Sequence, residues 1–359
     1  MIRFAKNVFM RNFMAFIFLF CSIFLSAQND TVKIAANLTP EQMAQNDYNT
    51  GLNYLNNNNA IMAVQMFSQA LTNLPNFDKA YYNRSLAYIK LNNYNDALKD
   101  INQCITLQPS DGAYFTKSLI FLYQNKKDSQ EVALNKALSI NPGNAEANYY
   151  FGMIHFNTQD YDKAIQYYQK AIQSKPDYAY AYNDLASCYM MKNNIDEAIK
   201  NYKEAINYNP NHPFLFNNLG SAYRQKKEYG KAIEAYTKAT LLDENYFIAY
   251  INMGATKIEK GDFASAKSDF EAVIKKDAQN SAAYNGLSAV YIKQKDYQQA
   301  KSMASKAIML DANNGQAYYN RAIARQLLRE EDEACSDWKR ALELGISPAK
   351  NFISSDCGN

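Results

Sequence analysis

The stretch "DKAIQYYQKAIQSKP", Asp162 to Pro176, is followed thirty-four residues later by "DEAIKNYKEAINYNP", Asp196 to Pro210. Self-similarity at a fixed period of this size marks a repeat architecture, so the period decides the fold. The register extends in both directions. Pro75, Pro109, Pro142, Pro176 and Pro210 are spaced by 34, 33, 34 and 34 residues. The same position continues without proline at Glu244, Ala278, Ala312 and Ile346, so nine units tile roughly residues 44–348.

We number positions within a unit so that these residues occupy slot 32. Slot 20 then reads Ala63, Ala97, Gln130, Ala164, Ala198, Ala232, Ala266, Ala300 and Ala334. Slot 8 is Gly, Ser or Ala throughout, as in Gly51, Ser85, Gly152, Gly220 and Gly254. Slot 24 is mostly large, as in Phe67, Tyr168, Tyr236, Phe270 and Trp338. Slots 4, 7, 8 and 11 share one helical face at a period of 3.6, and so do slots 20, 24, 27 and 28. The pattern predicts two helices per unit, with small residues allowing close approach and large residues filling the gaps. Asp160 and Asp296 mark the turn between helices, and proline at slot 32 stops the second helix.

This pattern resembles the tetratricopeptide repeat, most closely in "YAYNDLASCYMMKNNIDEAIKNYKEAINYNP", Tyr180 to Pro210. The resemblance covers about 85% of the chain. It implies an all-α, right-handed superhelical solenoid of about nine helix-turn-helix units over residues 40–348, with a capping helix and tail at 349–359. Pentatricopeptide repeats, which bind RNA, are the nearest confusable family. The Gly/Ala–Ala–Ala–Pro set speaks against them.

Two ends depart from the repeat. "TPEQ" predicts the first helix start, with Thr39 as cap, Pro40 at the first helical position and Gln42 completing a capping box. Residues 28–39 read as a linker. Residues 1–27 read as a secretory signal peptide. Arg3, Lys6 and Arg11 precede the uncharged run Phe13–Leu25 and then "SAQ". That 13-residue run is shorter than the roughly 20 residues of a spanning helix. Cleavage is expected after Ala27, giving an exported, periplasmic or secreted chain. The competing reading is an uncleaved anchor, which alone would bring membrane association. A lipoprotein signal at Cys21 is weaker, because Phe20 stands where a small residue belongs.

The whole chain carries 38 basic and 35 acidic residues, and three of the basic ones lie in the leader. The remainder is neutral, with no excess to attract nucleic-acid phosphates. No Gly-rich phosphate loop, paired-Cys zinc spacing or catalytic constellation appears, so no cofactor and no metal is expected. His155 and His212 are the two histidines. His155 falls at slot 11, where most units have Tyr, and reads as a core residue. The expectation is a non-enzymatic scaffold for other proteins or peptides.

In the resembled family, slots 2, 5, 9 and 12 face the concave surface. Slot 5 supplies Tyr48, Tyr82, Phe115, Tyr149, Asn183 and Asn217, and slot 2 supplies Tyr180 and Phe214. Aromatics and amides along one groove suit an extended peptide. Two alternatives stand beside this: the rings pad the seam between helices, or they stack on a glycan or lipid of the cell envelope. The family's cationic clamp for a C-terminal carboxylate is missing, since no three successive units supply its Lys/Arg and Asn set.

Four cysteines follow residue 27. Cys104 and Cys188 read as packed free thiols. Cys335 lies nine residues before the turn near Leu344 and Cys357 nine residues after Pro348. An antiparallel return of the capping helix would bring the pair level, and an oxidising compartment would join them.

Overall fold

The computed structural model describes residues 38–357, so the expected signal peptide over 1–27, its expected cleavage after Ala27 and most of the expected linker over 28–39 lie outside the described residues. The described chain is all-α and divides into two compact bodies, one up to Ala147 and one from Asn148. The first contains α1 (Pro40–Asn56), α2 (Ala60–Asn73), α3 (Asp78–Lys90), α4 (Tyr94–Leu107), α5 (Asp111–Tyr123), α6 (Lys127–Ile140) and the start of α7 (Ala145–Asn157). The second contains the rest of α7, then α8 (Tyr161–Ser174), α9 (Ala179–Met191), α10 (Ile195–Tyr208), α11 (Pro213–Gln225) and α12 (Tyr229–Leu242). It continues with α13 (Phe247–Lys260), α14 (Phe263–Lys276), α15 (Ser281–Lys293), α16 (Tyr297–Leu310), α17 (Gly315–Leu327), α18 (Glu331–Glu343) and α19 (Ala349–Asp356). Odd-numbered helices up to α17 open the units and even-numbered ones close them.

One turn recurs in all nine units. Slot 15 is left-handed, with φ between 55° and 67° at Asn58, Asn92, Asn125, Gln159, Asn193, Lys227, Lys295 and Arg329, and 89° at Gly261. The next N–H then reaches back to the slot-11 carbonyl, as from Asn59 to Tyr54 at 2.8 Å and from Asp160 to His155 at 2.9 Å. This is the Schellman closure of the first helix. The same slot-16 residue caps the second helix: Asn59, Asn93, Asp160, Asp262 and Asp296 side chains each accept from the backbone three residues on. At the start of the array, Thr39 and Gln42 form the expected capping box.

The small-to-large pairing is literal. A Cβ added at Gly51 would lie 2.6 Å from Phe67, at Gly152 2.5 Å from Tyr168, and at Gly220 2.7 Å from Tyr236. Slot 8 thus takes the slot-24 ring of its own unit against bare backbone. Where slot 8 is Ser85 or Ser118, slot 24 shrinks to Ile101 or Leu134, so the summed volume is kept. The slot-20 alanines are sealed, and Gln130 takes that place in the third unit, buried.

Two arginines at slot 7 reach slot 23 sixteen residues on. Arg84 grips buried Asp100 at 2.6 and 2.8 Å, and Arg321 grips buried Asp337 at 2.7 and 2.8 Å. At the C-terminal end, Phe352 of α19 stacks on Trp338 with centroids 4.4 Å apart and planes 7° apart. Cys335 and Cys357 are bonded there, with Cα atoms 5.5 Å apart, while Cys104 and Cys188 are buried free thiols.

Candidate functional site: the first-helix face

The slot-5 residues lie in the seam between successive first helices. Within each body, the polar ones meet slot 6 of the next unit. In the first body Asn83 donates to Tyr48 Oη at 3.0 Å, and Thr116 donates to Tyr82 Oη at 3.2 Å. In the second, Tyr149 Oη donates to Asp184 at 2.8 Å, Asn218 donates to Asn183 at 2.9 Å, and Asn252 to Asn217 at 2.8 Å. Asn320 repeats the contact with Asn285 at 2.8 Å. The result is a polar ladder that registers one unit on the next.

This ladder corrects the groove reading for part of the set. Asn183 and Asn217 are each only 7% exposed, with their amide oxygens already used. Tyr149 is half-buried among Tyr150, Tyr168 and Tyr178, with ring centroids 5.0–5.8 Å away. Burial and the neighbouring Asp184 carboxylate raise its phenol well above the usual range. Tyr48 is wedged against Phe67 and Phe77. Tyr82 and Phe115 are half-buried in the same row. These side chains stiffen the face. The physical reason is that slot 5 lies close to the next unit's first helix, so its outer edge is covered.

Slot 2 behaves differently. Tyr180 is 45% exposed and stacks on Phe214, with centroids 6.0 Å apart and planes 11° apart. His212, just before α11, adds a third ring 5.6 Å from Phe214. One unit further on, Ile248 stands 57% exposed. Elsewhere in the second body slot 2 carries Ala282 and Gln316. The apolar patch is therefore local to α9, α11 and α13.

The other histidine is structural: His155 stacks on Tyr167 at 5.3 Å and leans toward Asp160. Slots 9, 12 and 13 frame a cavity of about 170 Å³ lined by Met153, Phe156, Asn157, Tyr168, Asp184 and Ser187. Sequence reading missed Asp184, because as a single slot-6 carboxylate it carried no motif. Among the described residues no group of three or more His, Cys, Asp or Glu could hold a metal ion. No described helix is long and apolar enough to cross a membrane.

Comparison with known proteins agrees with this architecture. Tetratricopeptide repeat models match residues 78–111, 116–179, 156–219, 213–246 and 257–325. A curated relative, Hsp70-Hsp90 organizing protein 3 of Arabidopsis thaliana, is 27% identical over 157 residues, 42% of this chain. The match spans only 22% of that relative's length. A tetratricopeptide repeat protein from Parabacteroides merdae superposes with a TM-score of 0.60 at 19% identity, covering 68% of this chain and 97% of that one. The APC/C hetero-tetramer Cut9–Hcn1 gives 0.54 at 15% identity, covering 94% and 82%. With its helix pairs, its recurring turn and matches along most of its length, the chain belongs to the tetratricopeptide repeat family.

Proposed function

We propose that this protein is a non-enzymatic scaffold that holds segments of partner proteins against the first-helix face of its second body. One observation carries the reading: exposed Tyr180 and Ile248 flank half-buried Phe214 in an apolar row on successive first helices, seated on a hydrogen-bonded ladder that fixes their spacing. Exposed apolar patches rimmed by polar groups are where proteins meet partners. A rigid row of anchors loses little entropy on binding. The N-terminal pattern of three basic residues, apolar run and "SAQ" supports export, with the mature chain starting at Gln28. Intact mass of protein from its native host checks the export step.

A photo-crosslinking amino acid at position 180, installed in intact cells, tests the face. The control is position 200, where Lys200 is 72% exposed on α10. Protein adducts at 180 and not at 200 are expected. Equal labelling of both positions, or none at 180, refutes the reading. Adducts to glycan or lipid alone would favour the envelope-ligand alternative that exposed rings also permit.

A further inference from the structure

Among the described residues, buried Asp100 and Asp337 and partly buried Asp269 are matched by cations. Asp100 has Arg84, Asp337 has Arg321 and Arg325, and Asp269 has Lys257 at 2.7 Å. Asp184, at slot 6 of α9, is held differently. Tyr149 Oη donates to its Oδ2 at 2.8 Å and Asn183 Nδ2 to its Oδ1 at 2.9 Å. Both donors are neutral, and among the described residues no Lys or Arg pairs with it. Its counterparts Asn218, Asn252 and Asn320 make the same rung with an amide. The ladder therefore does not need a charge here.

The charge faces a cavity. Asp184 lines the space of about 170 Å³ together with Phe156, Tyr168 and Met153. A partly buried carboxylate with neutral partners is costly. Burial pushes Asp184 up from the usual carboxylate range, against the lowering effect of its two hydrogen bonds. A cation entering the cavity would offset that cost, and an anion would add to it. Each carboxylate oxygen keeps a further acceptor site. The ring walls favour a cation with an apolar stem.

We propose that this cavity receives the protonated lysine side chain of a bound partner segment, its ammonium on Asp184 and its methylenes against Phe156, Tyr168 and Met153. Lysine fits better than arginine. A guanidinium binds a carboxylate best as a planar fork that needs the remaining acceptor site on both oxygens at once, and each oxygen of Asp184 has already given one site to a donor. An ammonium is a compact point charge that needs one free acceptor site. The inference rests on the scaffold reading, since the lysine belongs to the partner. It inverts the polarity of the carboxylate-holding clamp whose cations this chain lacks.

The probes are N-acetyl-lysine methylamide and its uncharged analogue N-acetyl-norleucine methylamide. Each is titrated into the protein while the Met153 methyl resonance is followed. The lysine compound is expected to shift Met153 saturably and to bind at least about tenfold more tightly than norleucine, the scale of one modest charge-assisted contact. Asp184→Asn should abolish the difference. Equal binding of the two compounds to wild type overturns the proposal, as does no response to either. Persistence of the preference in a folded Asp184→Asn variant does the same. The wild-type comparison stands even if that variant does not fold. Failure here with crosslinks still forming at position 180 would remove the lysine pocket and leave the scaffold. A working pocket without those crosslinks would do the reverse.

Discussion

Replacing glycine by alanine inside a helix normally stabilises, by about 0.5–1 kcal/mol, because the unfolded chain loses freedom. At Gly286, in the middle of α15, the sign should reverse. A Cβ there would lie 2.3 Å from Phe270 Cε1 and 2.5 Å from its Cδ1 and Cζ. Phe270 is 1% exposed and cannot retreat, since Gly254 backs the same ring and its own Cβ would stand 2.7 Å from Cζ. Overpacking of this kind costs about 1–3 kcal/mol, against about 1 kcal/mol of helix propensity gained. Gly286→Ala should therefore destabilise by about 1 kcal/mol, lowering the melting temperature of a body this size by about 2–4 °C. Gly230 is the control. It lies in α12 with nothing within 4 Å of an added Cβ, so Gly230→Ala should raise the melting temperature. Circular dichroism melts of both variants decide the sign. Adding Phe270→Leu should make room, so that the double variant beats additivity by about 1 kcal/mol. A Gly286→Ala protein melting at or above the parent, or a strictly additive cycle, would refute the packing argument.

Arg84→Met should cost about 3 kcal/mol by stranding buried Asp100, whereas Arg84→Met with Asp100→Leu should recover most of it in urea unfolding. Protein beginning at Gln28 and denatured without reductant should show two free thiols, Cys104 and Cys188, and reduction should weaken the C-terminal cap by about 3 kcal/mol in the chain-entropy model; four thiols would rule the bond out. Burial pushes the Cys104 thiol up to about 11 and the Cys188 thiol up to about 12. The native state thus keeps these protons after an unfolded thiol, near about 8.5, has lost its own, so the two sites' contribution to stability falls as pH climbs above that point. Iodoacetamide at pH 8 should leave both unmodified until the chain unfolds, and rapid labelling of native protein would contradict this burial.

What the sequence determined by itself is periodic. A spacing of 34 residues, small slots at 8 and 20, and mostly large ones at 24 call for two helices that pack face to face, because the small positions admit the rings opposite them. Thr39 and Gln42 announced the first helix through short-range hydrogen bonding, which needs no tertiary context. Helix rise put Cys335 and Cys357 level only on condition that the capping helix turned back antiparallel, and the tertiary structure brings their Cα atoms to 5.5 Å. The division of one helical stripe into seam and surface was not legible. Slots 2 and 5 sit three residues apart on the same face, and both attracted rings and amides. Only the approach of the next unit's first helix covers Tyr149, Asn183 and Asn217 while leaving Tyr180 open. The same holds for charge. Asp100 and Asp184 are equally plain aspartates in sequence. Arg84 reaches the first across sixteen residues, and among the described residues no Lys or Arg pairs with the second, because the partner of a buried charge is chosen by helix packing and not by order along the chain.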